Sequence, residues 1–174
     1  MIVVERTFTV TASPGAALGY LSDFAHTEQW DSAVERTVRT GTGPVAPGAT
    51  WHQTCRIFGV STELIWTLVA MDPGSLVFHG RNEGATCTET VLVRPAGAGS
   101  EVVYRVEAEM HGLAKLATPV LKIEFEKLGT TSVAALTDAL DRLTPGRATE
   151  LHFPALPPNT VRPPTVAQPR EAQA

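Results

Sequence analysis

Cysteine is scarce: Cys55 and Cys87 are the only two in 174 residues. Their spacing fits neither a CxxC pair nor a zinc site, so no disulfide framework is implied. They read either as small buried side chains or as a reactive thiol. Positive charge is also in short supply. Fourteen Lys and Arg face eighteen Asp and Glu, a formal net charge of −4 with no basic block. That balance makes nucleic acid and anionic membrane poor electrostatic partners, and neither is expected. No apolar run approaches the roughly 20 residues needed to span a bilayer. The opening "MIVVERTFTV" alternates too early for a signal peptide, so a cytoplasmic location is expected. HxH and HExxH spacings are missing, which leaves no expectation of a metal or other cofactor. Ser22, His26 and Asp31 lack a nucleophile elbow and an oxyanion-hole signature, and are set aside as a triad. The glycines of "GTGPVAPG" follow no strand-to-helix pattern for phosphate binding. No internal repeat is visible.

What remains is an ordinary globular balance, 43% hydrophobic and 18% charged, able to build one core. "IVVERTFTV" is β-branched and partly alternating, which predicts a first strand. In "SPGAALGYLSDF", Ser13 is an N-cap and Pro14 takes the first helical position. Ala17, Leu18 and Leu21 supply a helical stripe. A second short helical turn is expected near Thr27 to Trp30. Six further strands follow: "AVERTVRTG", "TWHQTCRIF", "VSTELIWTLVAM", "SLVFHGR", "ATCTETVLVRP" and "EVVYRVEAEMHG". Turns at Gly59, "DPG", "NEG" and "AGAGS" join the last five, and their shortness favours an antiparallel meander. From Leu113 to Leu143 the apolar period lengthens to that of a helix. Leu121, Phe125, Leu128, Ala135, Ala139 and Leu143 form its stripe, widened by Leu136 and Leu140. Pro119 opens this helix or kinks it, and Gly129 weakens its middle by about 1 kcal/mol relative to Ala. Seven of the thirteen prolines lie from Pro145 onward. Residues 145–174 therefore read as a Pro-rich disordered tail behind a domain of residues 1–144. Within it, "LHFPALPP" reads as a solvated stretch or as a polyproline docking segment.

The order β, α, α, six β, α resembles the START/Bet v 1-like (SRPBCC) superfamily, and in particular its bacterial polyketide cyclase/dehydrase-like branch. The residues carrying the likeness are "FTVTASPGAALGYLSDFAHTEQWDSAV", "AMDPGSLVFHGR", "VRPAGAGSEVVYRVEAEMHG" and the long helix after them. They cover roughly residues 1–144 and are structural motifs, so they speak to fold rather than reaction. Many relatives carry Pro at or just after the Trp of the second helical turn, whereas Asp31 and Ser32 follow Trp30 here. The resemblance implies an α+β helix-grip fold: a curved seven-stranded antiparallel sheet around a long C-terminal helix, with two short helices after the first strand. It also implies an apolar cavity between sheet and helix, holding a polyketide-, lipid- or aromatic-like ligand. Some members are aromatase/cyclases, and many only carry or sense a ligand.

The expected cavity-facing residues are Trp30, Trp66, Leu68, Phe78, Tyr104, Val106, Met110, Val120, Leu121 and Phe125. Trp30 is either part of the gate or a pin holding its turn to the sheet. In the last strand Val102, Tyr104, Val106, Ala108 and Met110 share the face that suits a cavity. Whether Trp51, Gln53 and Cys55 or His52, Thr54 and Arg56 face inward stays open, because a one-residue slip reverses the answer. As acid/base candidates the chain offers Tyr104, His52, His79 and Arg81, without a paired motif. Three functions are consistent with these features: binding of a hydrophobic small molecule, polyketide cyclase/dehydratase-type catalysis in the same cavity, or a protein-interaction module. The chain is expected to act as a monomer or homodimer.

Overall fold

Alternation in Ile2–Val10 produces strand β1, and the Ser13–Pro14 cap starts helix α1, Pro14–Ser22. Ser13 Oγ accepts the Ala16 amide at 3.3 Å, as an N-cap should. A 3₁₀ helix, Phe24–Gln29, follows at once. Six strands come next: β2 (Val34–Thr40), β3 (Thr50–Ile57), β4 (Val60–Asp72), β5 (Ser75–Arg81), β6 (Ala85–Ala96) and β7 (Gly99–Met110). A second 3₁₀ helix, Gly112–Ala117, leads into α2, Thr118–Asp141. The computed structural model describes residues 1–57 and 59–143. Expectations for Phe58, the 145–174 tail and its "LHFPALPP" segment fall outside the described residues.

The strands form one antiparallel sheet in the order β1-β7-β6-β5-β4-β3-β2. The meander from β2 to β7 is therefore closed off by β1, which pairs with β7 from Ile2↔Ala108 to Val10↔Ser100. Register shifts at Val34/Arg36 and Leu68/Ala70 bend the sheet, since a bulge adds a residue to one strand and increases its twist. This α+β architecture is the helix-grip arrangement expected above. Of the two roles expected for Pro119, it takes the first: the helical region from Leu113 starts as a 3₁₀ turn, and the α-helix opens at Thr118. Lacking an N–H, Pro119 is tolerated in that first turn.

The core lies on the concave face. Trp51, Leu68, Leu76, Phe78, Val102, Leu136 and Leu140 are fully buried. Each such aliphatic or aromatic side chain contributes about 1.5–3 kcal/mol of apolar burial. The centre of the α2 stripe is Leu136 and Leu140 rather than Leu121 and Phe125, which are only partly buried. Two glycines permit close approaches. A Cβ on Gly80 would sit 2.7 Å from the Trp66 ring, so that indole lies flat over its β5 neighbour. A Cβ on Gly129 would sit 2.8 Å from Val4 Cγ1, which brings the middle of α2 down onto β1.

Candidate functional site

Between the sheet and α2 lies a cavity of about 130 Å³. Its walls come from five of the seven strands, the first 3₁₀ helix and α2. Phe24 and Thr27 belong to the first 3₁₀ helix, with Trp30, Asp31 and Ala33 just after it. The sheet contributes Val4 and Arg6 from β1, Gln53 and Cys55 from β3, Trp66 from β4, Cys87 and Glu89 from β6, and Tyr104 and Val106 from β7. Helix α2 covers it with Phe125, Leu128, Gly129, Ser132 and Leu136.

Part of the wall is held rigidly. Gln53 accepts from Trp66 Nε1 at 2.8 Å and donates to Thr27 Oγ1 at 3.0 Å and Thr37 Oγ1 at 3.2 Å. The amide is thereby satisfied inside the core and joins β3, β4, β2 and the 3₁₀ helix. Trp51 Nε1 donates to Asp23 Oδ1 at 3.0 Å, which anchors the start of that 3₁₀ helix to the sheet. Trp30 meets Tyr104 edge-on, with ring centroids 5.6 Å apart and an interplanar angle of 87°. Such a T-shaped pair adds about 0.5–1.5 kcal/mol beyond its buried area.

The other part of the wall is titratable. Glu89 is 6% exposed and occupies a position where its strand otherwise presents Cys87, Val91 and Val93 to the core. Burial pushes its carboxyl up to about 8, with a hydrogen bond from Tyr104 working the other way and the Asp31 charge adding to the rise. Tyr104 is raised well above its ordinary value, first by burial and then by the Glu89 carboxylate. Asp31 is also raised by burial, although the Ala33 amide (3.0 Å) and the Ser132 hydroxyl (3.3 Å) both donate to its Oδ1 and oppose the shift. The thiols Cys87 and Cys55 are pushed up to about 11 and about 12 by burial, so both are protonated and poorly nucleophilic at neutral pH. Arg6 is committed elsewhere: its Nη2 donates to Glu126 Oε2 at 2.7 Å and to the Glu126 carbonyl at 3.1 Å, bridging β1 to α2 at the cavity edge.

Of the sequence-expected wall residues, Trp30, Trp66, Tyr104, Val106 and Phe125 lie around this cavity. Leu68 and Phe78 are packed into solid core with no exposure, and Met110 is buried at the end of β7, outside the wall. Leu121 is partly buried but away from the cavity, and Val120 is 57% exposed. Of the acid/base candidates, Tyr104 stands in the cavity wall and the other three do not. His52, His79 and Arg81 are all exposed and none contributes to the cavity. Strand alternation is the cause: Trp51, Gln53 and Phe78 point inward, so their neighbours His52 and His79 must point outward. The carboxyl side chains that do line the cavity are Glu89 and Asp31. The signal for Glu89 was a single acidic residue on an otherwise apolar strand face.

A sheet gripping one helix over an aromatic-walled cavity with a buried carboxyl defines a protein of the helix-grip class. Residues 1–144 match the family model described as polyketide cyclase / dehydrase and lipid transport, and the chain belongs to that family. Solved structures share the fold at low identity. A START superfamily protein from Mycobacterium smegmatis superposes with a TM-score of 0.68 at 16% identity, covering 82% of this chain and 99% of that one. The Zhui aromatase/cyclase from a Streptomyces strain gives 0.68 at 13% identity, covering 80% and 93%. A protein from Thermus thermophilus gives 0.68 at 13% identity, covering 79% and 96%. No curated protein matches.

Proposed function

We propose that this chain binds a small, mainly apolar molecule in the cavity, with the Glu89–Tyr104 pair as its polar anchor. The observation that carries the reading is a cavity walled by Phe24, Trp30, Trp66, Tyr104 and Phe125 with one buried carboxyl inside it. Apolar walls supply affinity at roughly 25 cal/mol per Å² buried, and a few placed polar groups supply orientation. Native mass spectrometry of protein purified from its own source tests this: a co-purifying apolar small molecule is expected. Protein that arrives empty and takes up no member of a broad panel of apolar compounds would overturn it.

A second reading, catalysis of the cyclase or dehydratase type, is favoured by one specific observation. Glu89, Tyr104 and Asp31 converge on the same cavity, and acid/base work needs at least two such groups close together. A carboxyl near 8 can donate a proton to a developing alkoxide at neutral pH and take one back from carbon. If this holds, Glu89→Gln retains ligand but loses turnover, while His52→Ala leaves the rate unchanged. Equal turnover in Glu89→Gln and the wild type would remove the enzyme reading.

A further inference from the structure

Two carboxyl side chains, Glu89 and Asp31, border one cavity, and among the described residues the single Lys or Arg in its wall is Arg6. That guanidinium already pairs with Glu126 at 2.7 Å. The cavity is thus acidic without a cation of its own, and its walls are aromatic faces and edges. An ammonium group suits both features, since it pairs with carboxylates and is attracted to aromatic faces. Size narrows the choice further. The volume is about 130 Å³, and an apolar protein cavity of about 150 Å³ accepts benzene.

We propose that the cavity takes a compact organic amine, about one ring in size, with its ammonium nitrogen against Glu89 and Asp31 and its ring among Trp30, Tyr104 and Phe125. This rests on the small-molecule reading above and names the charge and size of the occupant. Free fatty acids and other carboxylates are disfavoured, because they would enter beside Asp31 with no unpaired cation in the wall to meet them.

The acid/base state of the site makes the inference sharply testable. Glu89 is held protonated up to about pH 8 by burial. The groups around it are Tyr104 on β7, Cys87 on β6, Cys55 on β3, Asp31 after the 3₁₀ helix, and Arg6 on β1 paired with Glu126 on α2. Burial raises Tyr104 and both thiols, which keeps them neutral throughout this range. Uptake of an ammonium ion therefore expels the Glu89 proton. Amine affinity should rise about tenfold per pH unit up to about pH 8 and then level off. A neutral isostere should bind equally from about pH 6 to about pH 8 and more weakly above.

Isothermal titration calorimetry with benzylamine, benzyl alcohol and benzoate tests this, run from about pH 6 to about pH 8 in buffers of different ionisation enthalpy. Benzylamine is expected to bind at least about tenfold more tightly than either isostere at the upper pH, releasing one proton per site at the lower. Glu89→Gln should abolish both the proton release and the pH slope. Benzyl alcohol or benzoate matching benzylamine, or a benzylamine affinity that is flat across the range, would overturn the proposal. Toluene, uncharged and one ring in size, separates the two levels. If it binds and benzylamine does not, the amine inference falls and small-molecule binding stands; if neither binds, both fall.

Discussion

Glu89 is the residue on which most of the chemistry turns, and residue type alone did not point to it. Histidines were the obvious acid/base candidates, yet alternation in β3 and β5 turns His52 and His79 to solvent. The acidic residue in "CTETV" was legible in principle, because Cys87, Glu89, Val91 and Val93 share one strand face. Its burial also has a thermodynamic signature. The native carboxyl lies near 8, raised from an ordinary 4.5. Over that interval the native state binds more protons than the unfolded state, so stability falls as pH rises, by up to about 1.4 kcal/mol per pH unit. Glu89→Gln should remove that slope and be more stable than wild type above about pH 8, by on the order of 3–5 kcal/mol. Urea unfolding midpoints at both ends of the interval check it; parallel pH profiles would contradict it. Trp30 permits a second expectation. It is buried and edge-packed on Tyr104, so it acts as a structural pin as well as a wall. Trp30→Ala should cost about 3–5 kcal/mol in chemical denaturation.

At the scale of elements, the strands and the first helix were legible because their signals are local: alternation, a Ser-Pro cap, and turn residues between strands. The inward face of β3 was not, since a one-residue slip exchanges Trp51–Gln53–Cys55 for His52–Thr54–Arg56, and the polar Gln53 is accommodated inside only by Trp66 and Thr27 on neighbouring elements. Gly129 is another instance. By propensity it is only a weak point in a helix, but here it allows α2 to touch Val4. Gly129→Ala adds helix propensity yet forces a methyl against Val4, so a net loss of about 1–2 kcal/mol is expected. In a Val4→Ala background the same change should become neutral or stabilising. Thermal unfolding of the four proteins in this double-mutant cycle reads the coupling directly.

For the whole molecule, the Arg6–Glu126 pair ties the first strand to the last helix beside the cavity. Both side chains are partly exposed, at 29% and 44%, so the pair contributes about 0–1 kcal/mol to stability. Its larger effect should be kinetic, because parting α2 from β1 opens a route to the interior. Arg6→Met is expected to leave the unfolding midpoint nearly unchanged and to speed ligand dissociation several-fold in stopped-flow displacement. An unchanged off-rate would place the route elsewhere.

Because β1 pairs with β7, Ile2 finds its partner Ala108 only after more than a hundred intervening residues have been made. β1 must therefore wait, an unpaired strand, until β7 has been made. Such non-local closure slows folding to milliseconds or longer. It also means that the cavity wall stays incomplete until β7 is in place, because Val4 and Arg6 stand on the strand that β7 holds.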